Sequence, residues 1–299
     1  MSAISMGEAT PVPRPGRLRR VWRAVRVRRP PWFPVLVIGV LLAAVVAPEL
    51  LAPHDPLKQS LLMRLRPPAW LEGGTWQHPL GTDALGRDLL SRIIHGTQTS
   101  LSAAGLTLLV GGAIGTLAGL VSGYAGGRAD AVLMRLADAT LAFPVILFAF
   151  LLAIAIGPGV WTVVIAVSLE IWARFARVVR GEVMGLRERN FVKLARVAGC
   201  GPAHILRVHI FPNIVNTLVV LLTLQIGWVI IMEASLSFLG AGIPPPAPAW
   251  GTMIAEGRQT LMRAWWTAVM PGAALLLTVL AFNLLGDWLR DLLDPKQRS

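Results

Sequence analysis

Long apolar runs, separated by short polar or basic segments, dominate this chain. A helix needs about 20 mostly apolar residues to cross a bilayer, and six runs meet or approach that length. They cover roughly 34–52, 99–123, 133–156, 159–178, 214–238 and 267–288. The second has no charged residue from Leu101 to Tyr124, and the third contains Asp138 and Pro144. The fourth carries Glu170 and Arg174 towards its end, and the fifth contains Glu233. The pattern predicts an all-α membrane protein with six transmembrane helices. The first run follows a basic leader too long for a secretory signal, with no convincing small-residue cleavage site, and so reads as an uncleaved anchor.

Composition agrees with that reading. Of 299 residues, 55% are hydrophobic and 15% charged, against about 25% charged in soluble domains. The net charge of +12 is confined to two places. Residues 1–33 hold eight Arg against Glu8, and residues 172–212 hold seven Arg and Lys193 against Glu182 and Glu188. Basic blocks flanking apolar runs mark cytoplasmic segments, whereas nucleic-acid binding calls for a basic face on a soluble domain; no nucleic-acid partner is expected. Six spans place both termini on one side, and the two basic blocks agree that this side is the cytoplasm. The expected organisation is a basic cytoplasmic segment 1–33, a first span 34–52, an extracytoplasmic segment 53–98, a membrane domain 99–290 with an outer loop at about 241–266, and a cytoplasmic tail 291–299.

Within the second span, Gly111, Gly115, Gly119 and Gly123 recur every four residues. That spacing lines one helical face with small residues and lets another backbone approach closely. Tight helix packing is one reading; a flexible gating helix is the other. Ahead of this span, "HPLGTDALGRDLLSRIIHGTQTS" places Leu85, Leu89, Leu90, Ile93 and Ile94 at helical spacing after Thr82 or Asp83, either of which can cap a helix. It predicts an amphipathic helix near the outer surface, or else an extension of the span itself.

Catalytic chemistry is not indicated. A phosphate cradle of the form G-x-x-x-x-G-K-[ST] is missing: the three lysines are Lys58, Lys193 and Lys296, and none follows glycine. There is no H-E-x-x-H and no G-x-S-x-G elbow. His204 and His209 are five apart, off the i, i+4 spacing of a helical metal pair, so no metal site is expected. Cys200 is the sole cysteine, which excludes an intrachain disulfide. Charges inside spans cost several kcal/mol unless paired or wet, which singles out Asp138, Glu170, Glu233 and Asp287. They line a translocation path or they sit in ion pairs at the membrane interface. Glu233, deepest and close to Ser235 and Ser237, is the candidate for the path.

Between the fourth and fifth spans lies "GEVMGLRERNFVKLARVAGCGPAHILRVHIFPNIV". It reads as two short helices broken at "AGCGP", where Gly199 and Gly201 relax the backbone and Pro202 opens the next helix, with a second stop at Pro212. A basic helical pair projecting from a bundle is a docking device for a soluble partner. This block, about 190–213, resembles the EAA loop of bacterial ABC importer permeases. The pattern falls on Lys193, Leu194 and Ala195, then Gly199, with His209, Phe211 and Pro212 at its end; Lys193 stands where the family has glutamate. "HPLGTDALGRDLLSRIIHGTQTSL", "EASLSFLGAGIPPPAPAWGTMI" and "NLLGDWLRDLLDP" resemble, in order, segments of the dipeptide/oligopeptide/nickel permease family. The long N-terminal segment and first outer loop are similar to its C-type (OppC/DppC-like) member.

That resemblance implies a type I importer permease in the bacterial cytoplasmic (inner) membrane. The chain would form half of a pore with a homologous B-type permease, driven by two ABC ATPase subunits and fed by an extracytoplasmic substrate-binding protein. ATP and Mg are then used by the partner ATPases, and this chain binds no cofactor. ATPase coupling is expected at Ala195, Ala198, Gly199, Cys200, Gly201, Pro202, Ala203, His204 and Pro212. Di- or oligopeptides are the expected cargo, with nickel or another small solute as the alternative. A secondary, ion-coupled transporter is the reading from a different class, disfavoured by the lack of an internal repeat.

Overall fold

The computed structural model describes residues 31–293, and among these every regular element is helical. The basic segment up to residue 30 and the tail from residue 294 fall outside the described residues. Ten helices are named here in chain order: α1 Trp32–Val46, α2 Pro48–Leu51, α3 Leu89–Ala125, α4 Gly127–Ala142, α5 Val145–Ile156, α6 Val160–Arg187, α7 Asn190–Val197, α8 Pro202–Phe238, α9 Trp250–Arg258 and α10 Trp266–Leu293.

Three of them, α3, α8 and α10, are each long and apolar enough to cross a membrane. The run at 133–156 is not one straight helix. It is the pair α4 and α5, bent by 84°, because Pro144 brings no backbone N–H and pushes Phe143 out of helical geometry. Phe143 accordingly sits at φ −95°, ψ 126°. The first run is likewise split at Ala47, ahead of Pro48, leaving α1 with 15 residues. Helix α6 carries Arg174, Arg177, Arg180, Glu182 and Arg187 in its second half, so only its first half, whose one charged residue is Glu170, is membrane-like.

The amphipathic stretch before the second span is not a separate element. Helix α3 starts at Leu89, where the Asp88 side chain accepts from the Ser91 N–H at 2.8 Å, and runs unbroken to Ala125. Thr82 and Asp83, the expected caps, belong to the turn that precedes it. Residue Pro212 is a second correction. It does not stop the helix, because residues Ile205–Ile210 form a π-helical stretch and α8 continues through it to Phe238. The wider π turn shifts the hydrogen-bond register ahead of the proline, so its missing N–H and its ring are accommodated without a break.

Packing centres on α3 against α6. A Cβ added at Gly115 would lie 2.6 Å from Phe175 Cβ and closer still to the Trp172 carbonyl; at Gly119 and Gly123 it would lie 2.7 Å from Val179 Cβ and Val183 Cβ. At Gly111 it would meet Ile171 at 2.8 Å. The four-residue glycine spacing on α3 is thus matched by an equally spaced row on α6. Contacts this close replace side-chain bulk with backbone dispersion, the term that holds helices together where lipid offers no hydrophobic gain. Helices α8, α9 and α10 close the other side of the bundle, around a core including Leu108, Phe175, Ile230, Leu236, Trp250 and Trp266.

Candidate functional site

The segment between α6 and α8 is built around a helix end. Ala198 caps α7, Gly199 follows at φ +81°, the Gly199 N–H donates to Arg196 O at 3.0 Å, and the Cys200 N–H donates to Ala195 O at 3.0 Å. These paired bonds form the Schellman motif, which requires a left-handed residue just past the helix and so favours glycine there. Gly201 is extended and Pro202 occupies the first turn of α8, where its missing N–H costs nothing. The chain therefore turns sharply between α7 and α8.

One face of the segment is anchored. Val192, Ala195, Ile205, Ile210 and Ile214 are buried with Leu120, Val179 and Val183 from the ends of α3 and α6, and Cys200 packs against the same cluster. The Arg187 guanidinium donates to the carbonyls of Gly123 and Tyr124 at 3.3 and 3.2 Å, satisfying acceptors at the end of α3. Arg196 stands over the Tyr124 ring at 5.1 Å from its centroid. The opposite face is exposed: Leu194 is 68% and Val197 86% accessible, and Ala198, Gly199, Gly201, Pro202, Ala203 and His204 are exposed with them. Ala195 therefore belongs to the anchor, not to the outward face, and Cys200 and Pro212 are half-buried. His209 links the two arms, with its ring 6.4 Å from Phe191 and 5.9 Å from His204.

Lys193 has its charge partner inside the chain. Its Nζ lies 3.4 Å from Glu188, which Arg187 also approaches at 3.4 Å. Lys193 and then Arg187 hold the Glu188 carboxyl below the usual carboxylate range.

The charges in the apolar runs divide by environment. Asp138 meets Arg177 at 2.5 Å with both side chains about half exposed, and Glu170 pairs with Arg174 one turn along α6. Asp130, at the start of α4, takes a two-pronged contact from Arg180 at 2.5 and 2.7 Å. Glu233 differs, being fully buried. Its Oε1 accepts from Ser237 Oγ at 2.8 Å, and Ser237 Oγ in turn accepts from the Ile243 N–H at 3.0 Å. Glu233 Oε2 and, on α3, Ser100 Oγ are buried with no hydrogen-bond partner. Ser235 does not join them: its hydroxyl donates to Ile231 O within its own helix at 2.7 Å.

A second polar centre was not legible in the spacing. Arg87 and Arg92, both nearly inaccessible, pair with Asp83 and reach across to Glu256 of α9, each at 2.9 Å from Oε2. Trp250 and Trp266 extend the junction by donating indole N–H groups to Ile93 O and Thr82 O, both at 3.2 Å. The motif before α3 is thus clamped to α9 and the start of α10.

The described residues form an all-helical bundle with an anchored helix–turn–helix, and comparison with known proteins gives it a family. A solved structure of the MetNI methionine ABC transporter in an inward-facing conformation superposes with a TM-score of 0.55, over 68% of this chain and 97% of that chain, at 16% identity; the likeness is one of fold. The chain belongs to the family described as binding-protein-dependent transport system inner membrane component, whose model matches residues 115–299. Similar proteins include the di/tripeptide transport system permease protein DppC of Pseudomonas aeruginosa, 42% identical over 89% of this chain and 87% of that one. The glutathione transport system permease protein GsiD of Pectobacterium atrosepticum is 44% identical over 88% and 86%. The D,D-dipeptide permease protein DdpC of Escherichia coli, a probable assignment by its own name, is 39% identical over 88% and 86%. The chain is an importer permease subunit and a membrane component.

Proposed function

We propose that this chain is the C-type half of a peptide importer's pore, paired with a homologous B-type permease and driven by two ABC ATPase subunits that bind ATP and Mg. Six spans with both termini in the bacterial cytoplasm fit the charge pattern, with α4 and α5 together serving as one bent span and the first half of α6 as another. The observation that carries the reading is the two-faced segment Asn190–His204. Its inner face is locked to α3, α6 and α8 by Val192 and Ala195, which pack with Leu120, Val179 and Ile205 of those helices, while Leu194 and Val197 face outward. Two large aliphatic side chains held in the open on a rigid element suit insertion into a cleft of a soluble partner. A push on that face passes to three helices at once, as rigid-body alternating access requires.

The cargo is taken as di- or oligopeptide, since relatives named for di/tripeptide and glutathione transport share about two-fifths of their residues with this chain. A substrate-binding protein would deliver it from the outer side. Glu233, with Ser237 holding one oxygen, is the candidate polar group of the path, with Ser235 near it on the same helix. The test is reconstitution. The chain, its sister permease, two ATPases and the binding protein in proteoliposomes are expected to take up a labelled dipeptide only when ATP is supplied. Uptake driven by an ion gradient without ATP overturns the proposal.

A further inference from the structure

The fold brings together three side chains that are far apart in sequence. His54, His78 and Asp88 each direct a ligand-type atom to a common point, all within 4.8 Å of one another. His78 Nδ1 lies 2.8 Å from Asp88 Oδ1, His54 Nδ1 lies 3.9 Å from Asp88 Oδ2, and the two imidazole rings, tilted by 34°, have centroids 4.8 Å apart. We propose that His54, His78 and Asp88 form a binding site for a divalent transition-metal ion of the zinc or nickel class.

Three observations support a built site. The first is the donor set: two imidazoles and one carboxylate suit borderline divalent metals, and a fourth position remains for water or a further ligand. The second is an orphan atom. His54 Nδ1 is buried and has no hydrogen-bond partner, a state that is costly for a polar nitrogen and that a metal ion would relieve. The third is how the ligands are held. Ser91 donates its N–H and its hydroxyl to Asp88 Oδ2 at 2.8 and 2.7 Å, and the same hydroxyl accepts the His54 backbone N–H at 3.0 Å. One serine therefore orients the carboxylate and fixes the residue bearing an imidazole, the kind of outer support that ligating groups use. His78 is set in a tight turn by the bonds His78 N–H to Thr75 O and Gly81 N–H to His78 O, at 3.1 and 2.8 Å.

Metal entry draws the three ligands together: His78 Nδ1 binds in its deprotonated form, its 2.8 Å contact to Asp88 widens, and the His54 imidazole closes on the pair so that all three donors sit at about 2.0–2.2 Å from the ion. Asp88 keeps its other oxygen on Ser91, so the cap of α3 survives binding. The ion would pin the segment 53–88 to the first turn of α3, beside the buried Arg92–Glu256 junction.

The test uses the purified full chain in detergent, stripped with chelator and then titrated with Zn2+ alone. Metal content after gel filtration and thermal melting are read together. One bound ion per chain and a melting temperature that rises with Zn2+ are expected. His54→Ala, whose imidazole Nδ1 makes no hydrogen bond in the fold, is expected to weaken binding about tenfold or more while its metal-free melt stays unchanged. His78→Ala is a second arm, and His204→Ala/His209→Ala is the control that keeps full binding. Substoichiometric Zn2+, or binding that His54→Ala leaves intact, overturns the site.

Discussion

The Cys200 N–H donates to the Ala195 carbonyl at 3.0 Å across the end of α7, and that bond sets the turn within the segment Asn190–His204. It closes the turn that holds Gly199 at φ +81° and lets α8 leave at Pro202. A β-branched residue at position 199 would pay about 1–2 kcal/mol for the left-handed backbone. Gly199→Val is therefore expected to cut ATP-driven uptake at least about fivefold while leaving insertion and basal ATP hydrolysis in place; Gly199→Asn, which tolerates this region, is expected to lose far less. Uptake and ATPase rates measured on the same proteoliposomes check both.

The ladder on α3 allows a sharper contrast. At Gly115 a Cβ meets Phe175 and the Trp172 carbonyl, whereas at Gly105 nothing lies within 4 Å. Gly115→Leu is expected to destabilise the bundle by about 3 kcal/mol or prevent assembly, since overpacking costs typically 1–3 kcal/mol and sometimes more. Gly105→Leu is expected to be neutral. Thermal unfolding in detergent distinguishes them.

Buried and exposed ion pairs are expected to differ in the same assay. Glu256→Gln leaves the nearly inaccessible Arg87 and Arg92 with Asp83 as their one remaining carboxylate, and losing charge-assisted hydrogen bonds of this kind costs about 1.5–3 kcal/mol. Asp138→Asn removes a half-exposed partner of Arg177 and is expected to cost under about 1 kcal/mol.

Much of this architecture was legible in the chain. Apolar runs located the long helices, and the four-residue glycine spacing marked the face of α3 that meets α6. Other features depended on information that local pattern does not carry. Pro212 looked like a helix stop, because nothing in "ILRVHIF" announces that a π turn will absorb it. Thr82 and Asp83 looked like caps, yet Asp88 takes that role and Asp83 is spent on Arg87 and Arg92. Glu256 reaches Arg92 across 164 positions, and His54 reaches Asp88 only because the outer segment folds back. In the segment Asn190–His204 the helix break was legible but the orientation was not: Ala195 lies on the anchored face, and Leu194 and Val197 are the large apolar side chains that face out.

Lys193 carries its own expectation. With Glu188 3.4 Å away, its charge is answered within the chain, so Lys193→Ala is expected to leave melting unchanged. Assembly with the ATPases, followed by co-purification, is expected to persist as well.

Site-directed cross-linking tests the docking role most directly. In a Cys200→Ser background, which removes the sole cysteine, Val197→Cys and the buried control Val192→Cys are compared in the assembled transporter. Val197→Cys is expected to cross-link to an ATPase subunit through a short bis-maleimide, with a yield that changes on ATP binding, and Val192→Cys is not. Failure of Val197→Cys to reach the ATPase, together with its labelling by a membrane-impermeant thiol reagent from the outer side, contradicts the docking assignment.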